Sequence, residues 1–140
     1  AVDVGSGQLH PSLQEHPRVR WWENLHIRDL TLEMLGERVD MIVVDVSFIG
    51  LRHVFPYLPP FLKKDGFMVT LVKPQFELEE KVRLKKGIVK DEKLRRQILE
   101  KVSKSAQEQG FVLKEITSTD ADEQRKNLEY LALWEKIANY

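Results

Sequence analysis

The chain contains no cysteine, and this absence excludes several kinds of chemistry at once. Disulfides, thiolate metal sites and cysteine nucleophiles are all ruled out. The four histidines are scattered without a His-x-x-x-His spacing, which argues against a zinc site, and we expect no bound metal. Any catalysis must therefore depend on side chains such as carboxylates, amines and hydroxyls.

The sequence also lacks an excess of charge of either sign, because 22 Lys and Arg balance 22 Asp and Glu. No global field therefore draws the protein toward nucleic acid or a membrane. One local exception lies between Lys81 and Lys104, where ten basic residues accompany three acidic ones. This segment either contacts phosphates or forms an ordinary solvated helix face, and the sequence leaves both interpretations open.

No apolar run approaches the roughly 20 residues that a bilayer-spanning helix needs. The first residues have neither the charge pattern nor the apolar core of a signal peptide. A chain of 140 residues suits about one domain, so we predict a single soluble, cytoplasmic domain over 1–140 with no membrane partner. The chain begins inside the apolar run Ala1–Val4, so we expect this domain to be truncated at its N-terminus.

Strand and helix signals alternate along the chain, which predicts an α/β fold with right-handed crossovers. The predicted strands are Ala1–Val4, Arg18–Glu23, Asp40–Val46, Phe67–Lys73, Phe111–Thr117 and Leu128–Trp134. A short helical stretch is predicted after Gly7, with its limit at Pro17, and a second short helix over Leu32–Leu35 is capped by Thr31 and Gly36. An apolar helical region over Phe48–Lys64 is split in two by prolines, and a long helix is predicted between Asp91 and Gly110. We interpret Glu77–Lys90 and Ser118–Asn127 as loops.

Two apolar runs end abruptly in a charged residue, the first at Asp45 and the second at Lys73. Runs of this kind are typical of strands that are buried on both faces of a parallel sheet. Ligands of open α/β sheets bind just beyond the carboxyl ends of the strands, so Asp45 and Lys73 are expected over one crevice. The pair is either an active site or an ion pair that caps two strands, and its residues alone do not decide between them.

A third charged group is expected at the same edge, because Glu129 stands at the start of the last predicted strand. If that strand is antiparallel, its beginning lies beside the ends of the other two. Candidate substrate-binding residues follow the two charged groups, and they are Ser47, Phe48, Pro74 and Phe76. The aromatic rings suit a flat substrate such as a base, although plain core packing explains Phe48 at least as well.

Asp3 ends the first predicted strand and precedes Gly5-Ser6-Gly7. An acid at such a strand end in a nucleotide-binding fold accepts hydrogen bonds from ribose hydroxyls. The Gly-Ser-Gly sequence lacks the third glycine and the lysine of known phosphate loops, which favours a simple turn.

Taken together, these residues resemble the TlyA family, often labelled haemolysin, within the FtsJ-like group of 2′-O-ribose RNA methyltransferases. The matching stretches are Ala1–Gly5, Gln8–Leu9, Pro17–Val19, Ile27–Arg28, Asp45–Ile49, Val72–Glu77, Gly87–Asp91 and Asn127–Tyr130. The resemblance implies a Rossmann-like, S-adenosylmethionine-dependent methyltransferase fold with a mostly parallel sheet and one antiparallel strand. It also implies that the first strand and the glycine-rich donor loop precede Ala1.

The resemblance implies S-adenosylmethionine as cofactor, ribosomal RNA or ribosomal subunits as partners, and ribose 2′-O-methylation as the reaction. Asp45, Lys73 and Glu129 match three members of the family's Lys-Asp-Lys-Glu catalytic set, and Asp3 together with Asp45 matches the donor-binding acids. Two alternatives stay open, namely a non-catalytic RNA-binding or assembly module and, more weakly, a haemolysin. The residues fit an enzyme of this class, although the truncated chain by itself is expected to be inactive.

Overall fold

A computed structural model describes residues 1–78, 87–119 and 127–137 of the chain. The chain forms two compact units, Ala1–Glu37 and Arg38–Tyr140. Its helices are α1 (Pro11–Gln14), α2 (Leu32–Leu35), α3 (Pro74–Glu77) and α4 (Glu92–Glu108). Its strands are β1 (Val39–Val44), β2 (Leu62–Val72), β3 (Phe111–Ser118) and β4 (Tyr130–Lys136). No helix in these described ranges is long and apolar enough to cross a membrane.

The short helix α2 of the first unit forms as its capping residues predict. Thr31 Oγ1 accepts a hydrogen bond from the Met34 amide at 3.1 Å, which satisfies a free N–H of the first turn. Gly36 ends the helix with a φ of 86°, a left-handed conformation that glycine adopts without steric cost. The Arg20 guanidinium binds the carbonyls of Met34 and Leu35, so the last turn has partners for its exposed acceptors.

The prediction of strands over Ala1–Val4 and Arg18–Glu23 is wrong. The two segments form one parallel bridge, between Val2 and Trp22, instead of a ladder. Beyond the bridge the Asn24 and Leu25 amides donate to the carbonyls of Gly5 and Asp3, around an Asn24 with a φ of 54°, so the contacts continue as a turn and not as strand pairing. A strand is stabilised by a ladder of consecutive pairs, and a single bridge does not supply one.

The second unit contains a four-stranded sheet with the strand order β1-β2-β4-β3. β1 is parallel to β2, and β4 runs antiparallel to both β2 and β3. Three strands therefore share one direction and β4 opposes them, as the predicted sheet with a single antiparallel strand requires. The mixed α/β character of the fold is confirmed.

One face of this sheet forms the centre of the core. Trp134 on β4 is almost fully buried, and its ring packs edge-on against Phe55 with centroids 5.7 Å apart. The Phe111 ring lies 6.2 Å from that of Phe55. Lys136 is also buried, and its Nζ donates to the carbonyls of Pro59 and Leu62 at 2.7 Å each. Burial removes Lys136 from water, and this desolvation lowers the pKa of its ammonium group.

The region predicted as two helical pieces over Phe48–Lys64 differs in the structure. It forms three single turns of 3₁₀-helix, Leu51–His53, Phe55–Tyr57 and Pro59–Phe61, and β2 already begins at Leu62. The three prolines of this stretch lack an N–H and obstruct longer α-helices, which explains the short turns.

The long helix α4 begins and ends where the sequence predicts. Asp91 Oδ1 accepts from the amides of Lys93 and Leu94 at 2.9 and 3.4 Å, and Gly110 follows the helix with a φ of 86°. Its buried residues are Ile98, Val102 and Ala106, together with Arg95. The predicted loops lie partly outside the described residues, at 79–86 and at 120–126.

A buried hydrogen bond links the two central strands and provides a test of the core. Trp134 Nε1 donates to Thr70 Oγ1 at 3.0 Å, and both side chains are buried. Thr70→Val keeps the side-chain shape but leaves the indole N–H without an acceptor, so we expect the free energy of unfolding to fall by about 1–3 kcal/mol. Urea denaturation measures this change.

The matched background for this test is Trp134→Phe, which removes the donor. Thr70→Val should cost much less stability there, because no indole N–H is left unpaired. An equal loss in both backgrounds would contradict the hydrogen-bond explanation.

Candidate active site

Asp45 and Lys73 follow the carboxyl ends of the parallel strands β1 and β2, so both lie at the same edge of the sheet. Lys73 Nζ is 2.6 Å from Asp45 Oδ1 and donates to Ser47 Oγ at 3.1 Å. The Lys73 side chain is only 12% exposed, whereas that of Asp45 is 61% exposed. The amine is therefore held in one position, and the carboxylate beside it stays open to solvent.

Glu129 lies at this edge as well, on the other side of Lys73. The register pairs Val72 with Tyr130, so the residue before β4 stands opposite the residue after β2. Within the described part of the chain, to which both residues belong, Glu129 forms no ion pair with Lys73. Its Oε2 instead accepts a hydrogen bond from Gln75 Nε2 at 3.0 Å.

Glu77, at the end of α3, connects this segment to the loop that follows β1. Its Oε1 accepts from the Leu51 amide at 2.8 Å. A Cβ on Gly50 would lie 3.1 Å from Glu77 Oε2, so a larger residue there would push against the carboxylate. Burial raises the pKa of Glu77, an effect that the Leu51 hydrogen bond and the nearby Arg52 partly oppose.

Phe48 projects from the loop after β1 and is 90% exposed. Its backbone has a φ of 64°, a left-handed conformation that is uncommon for a bulky residue. The ring lies 5.0 Å from that of Phe76, which is half-buried. The alternative that Phe48 serves core packing is wrong, since most of its surface meets solvent. Pro74, by contrast, is fully buried and offers no surface to a ligand.

Asp3 lies in the first unit, where a cleft of about 120 Å³ is lined by residues that include Trp21, Trp22 and Glu23. Asp3 Oδ1 accepts from the Gly5 amide at 2.8 Å, while the side chain as a whole is exposed. The Gly7 amide donates to Glu23 Oε1 at 3.0 Å. Because the Gly5 and Gly7 amides bind side chains of the protein itself, the interpretation of this sequence as a turn is favoured.

The basic segment is only partly described. On α4 its exposed basic residues are interspersed with the acids Glu92 and Glu100, and Arg96 pairs with Glu92 at 3.2 Å. Along the described part of the segment, this arrangement favours a solvated helix face. A contact with phosphates stays a prediction.

Gln75 and Glu77 are functional candidates that sequence reasoning did not single out. Both follow Lys73 within one short helical turn, and each binds a different neighbouring element. Polar side chains that directly follow a reactive residue at a strand end are the signal that could have identified them.

Solved methyltransferases share this architecture. The N-methyltransferase NodS of Bradyrhizobium japonicum, in complex with S-adenosyl-L-homocysteine, matches 96% of this chain and 64% of its own with a TM-score of 0.62 at 15% identity. At this identity the likeness shows the fold alone. The fold is therefore the Rossmann-like one of S-adenosylmethionine-dependent methyltransferases.

The model of the FtsJ-like methyltransferase family matches residues 1–136, and the chain belongs to this family. It is 40% identical over 134 residues to the 16S/23S rRNA (cytidine-2′-O)-methyltransferase TlyA of Mycobacterium tuberculosis, covering 96% of this chain and 50% of that protein. A solved structure from Streptococcus thermophilus that carries a hemolysin name matches with a TM-score of 0.89 at 33% identity, over 98% of this chain and 50% of its own. The chain thus spans about half the length of the curated relatives it matches, and the predicted family is confirmed.

The raised pKa of Glu77 makes stability depend on pH in a defined direction. Between the ordinary glutamate pKa and the raised one, the folded state binds more protons than the unfolded chain, so the free energy of unfolding falls as pH rises through that window. Glu77→Gln removes this titration and keeps an acceptor for the Leu51 amide. We expect the stability of the variant, relative to the unchanged protein, to rise with pH across the window and then level off.

Urea denaturation over a series of mildly acidic to neutral buffers measures this difference. Glu108→Gln, at an exposed position on α4, controls for the loss of a carboxylate. A stability difference for Glu77→Gln that stays constant with pH would contradict the buried-carboxyl explanation.

Proposed function

We propose that this chain carries catalytic residues of an S-adenosylmethionine-dependent methyltransferase that modifies ribose 2′-hydroxyls of ribosomal RNA in the cytoplasm. The observation that carries the proposal is the Lys73 amine, which lies 2.6 Å from Asp45 at the sheet edge where Glu129 also stands. Membership of the FtsJ-like family and the name of the mycobacterial relative support the substrate class.

A ribose hydroxyl is a weak nucleophile, so an amine beside it must accept or direct its proton in the transition state. In the proposed reaction Lys73 has this role. The contacts to Asp45 and Ser47 restrict the Lys73 side chain, which keeps the amine in place for an incoming hydroxyl. Glu129 supplies a second carboxylate on the opposite side of Lys73 and helps to orient the reacting groups.

The acids of the chain suit the proposed methyl donor. S-adenosylmethionine, when bound, supplies an electrophilic methyl group, and its ribose presents two hydroxyls to a protein acceptor. Asp3 is exposed and uses one oxygen for the Gly5 amide, so its other oxygen is available to such a hydroxyl. The open carboxylate of Asp45 is a second candidate contact to the donor.

Phe48 and Phe76 are proposed to bind a base of the RNA. An aromatic ring that is exposed and held near a second ring offers a surface on which a splayed base stacks. The left-handed backbone of Phe48 supports this role, because strain of this kind is concentrated at functional sites. Ser47 precedes Phe48 in this loop and contacts Lys73, so it is proposed to connect the two parts of the site, whereas buried Pro74 is not assigned a contact with the RNA.

Lys73→Ala should lower the rate of methyl transfer to ribosomal RNA by about 10²–10⁴-fold, because the group that receives or directs the proton is lost. Binding of S-adenosylmethionine should change little, since Lys73 is assigned to the acceptor hydroxyl. Transfer of a labelled methyl group and calorimetry with the donor, both in the intact protein, measure the two effects.

The matched control is Lys63→Ala, because Lys63 also pairs with an aspartate, Asp40, at 2.8 Å but lies near the other end of β2. It should leave the rate unchanged. Near-normal turnover of Lys73→Ala would refute the assignment of Lys73, whereas an unchanged protein that transfers no methyl group would favour a non-catalytic binding module.

Phe48→Gly should separate stability from RNA binding. Glycine accepts the left-handed backbone, so the free energy of unfolding should stay the same or increase. Loss of the ring should weaken binding of a single-stranded ribosomal RNA fragment by about 5- to 100-fold, the effect expected for one stacked base. Thermal denaturation and fluorescence anisotropy measure the two quantities.

Tyr57→Ala serves as the control, because Tyr57 is another exposed aromatic residue but lies on the 3₁₀ turn Phe55–Tyr57. It should not change RNA affinity. If Phe48→Gly binds RNA as tightly as the unchanged protein, the proposed stacking surface is wrong.

A further inference from the structure

We infer that Gln75 is a positioning residue for methyl transfer, which fixes the carboxylate of Glu129 by binding one of its two oxygens. This inference rests on the proposed function, because it concerns the same sheet edge. It assigns a role to a side chain that would contact neither the donor nor the reacting hydroxyl.

The backbone of Glu129 is already fixed by one neighbour, Thr119. The Thr119 amide and hydroxyl both donate to the Glu129 carbonyl, at 2.8 and 3.1 Å, and the Glu129 amide donates to Thr119 Oγ1 at 3.3 Å. The remaining freedom is that of the side-chain torsions. The hydrogen bond from Gln75 Nε2 to Oε2, at 3.0 Å, restricts them.

The backbone around Gln75 is fixed by contacts of the residues that flank it in sequence. Lys73 before it binds Asp45, and Glu77 after it binds the Leu51 amide. The Phe76 amide donates to the Lys73 carbonyl at 2.9 Å, which closes the turn around Gln75. A side chain on such a fixed backbone can hold a neighbour in one place, so Gln75 connects the end of β2 to the start of β4.

The carbonyl oxygen of the Gln75 side chain supports the role of Gln75 as a donor to Glu129. Its Oε1 is buried without a hydrogen-bond partner in the described part of the chain. Buried polar atoms without partners are rare in proteins and call for an explanation. Turning the amide over would place Oε1 against Glu129 Oε2, so that two acceptor oxygens faced each other. The amide therefore donates to the carboxylate, a charge-assisted contact, and leaves its oxygen unpaired.

This arrangement leaves Glu129 Oε1 without a protein partner in the described residues. An anchored carboxylate with one unoccupied oxygen is suited to orienting a charged or polar group beside it. Loss of the anchor would let the carboxylate rotate away. The rate of the chemical step should then fall, while binding of the donor should not change.

The test is a double-mutant cycle of Gln75→Met and Glu129→Ala in the intact protein. Methionine has a similar length but cannot donate a hydrogen bond. We expect Gln75→Met to lower kcat about tenfold with an unchanged KM for S-adenosylmethionine, and to have no further effect once Glu129 is replaced. A role in packing alone would lower kcat by the same factor in both backgrounds, and that result would overturn the inference.

A second double-mutant cycle with the same substitutions, on the free energy of unfolding in urea, tests the hydrogen bond between Gln75 and Glu129 independently of catalysis. Gln75→Met should destabilise the protein with Glu129 present and have little effect with Glu129→Ala, and additive effects would overturn the inference. Gln107→Met, at an exposed position on α4, controls for the change of residue type. An unchanged protein that transfers no methyl group would overturn the proposed function itself, whereas additive effects in an active protein overturn only the role of Gln75.

Discussion

The antiparallel register between β2 and β4 determines which residues meet at the edge of the sheet. Because Val72 faces Tyr130 and Thr70 faces Ala132, Glu129 stands beside Lys73 and Trp134 points into the core. A slip of one residue would turn every side chain of β4 to the opposite face. The same alignment thus fixes the core hydrogen bond of Trp134 and the position of a proposed catalytic carboxylate.

Several features of this edge reduce the stability of the fold. Phe48 keeps a left-handed backbone, Gln75 has a buried oxygen without a partner among the described residues, and Glu77 is a largely buried carboxyl. Each is of a kind that a sequence selected only for stability would avoid. Their concentration within two short segments, after β1 and after β2, supports the view that this edge is shaped for binding and catalysis.

Those parts of the fold that carry strong local signals could be predicted from the sequence. Asp91 and Gly110 bound the α4 helix through backbone geometry that depends on neighbouring residues alone. The positions of Asp45 and Lys73 followed from a general property of parallel strands, namely that their carboxyl ends share one edge.

Other parts depended on partners distant in the chain. Ala1–Val4 has the composition of a strand, but composition does not reveal whether a second segment will extend the pairing beyond one bridge. The roles of Gln75 and Glu77 depend on contacts 54 and 26 residues away. A local pattern can mark these residues as candidates, but it does not encode their distant partners, so the structure was needed to find the contacts.

The segment from Lys73 to Glu77 has a consequence for how the chain tolerates changes in length. Within one short turn, Lys73, Gln75, Phe76 and Glu77 each contact a different partner, in an order set by the rotation of the backbone. One inserted or deleted residue would rotate all later side chains by about 100° around α3. The contacts of all residues after the change would then be out of phase together, whereas a single substitution removes the contact of one residue. Natural variation in this segment should therefore replace residues while preserving their number.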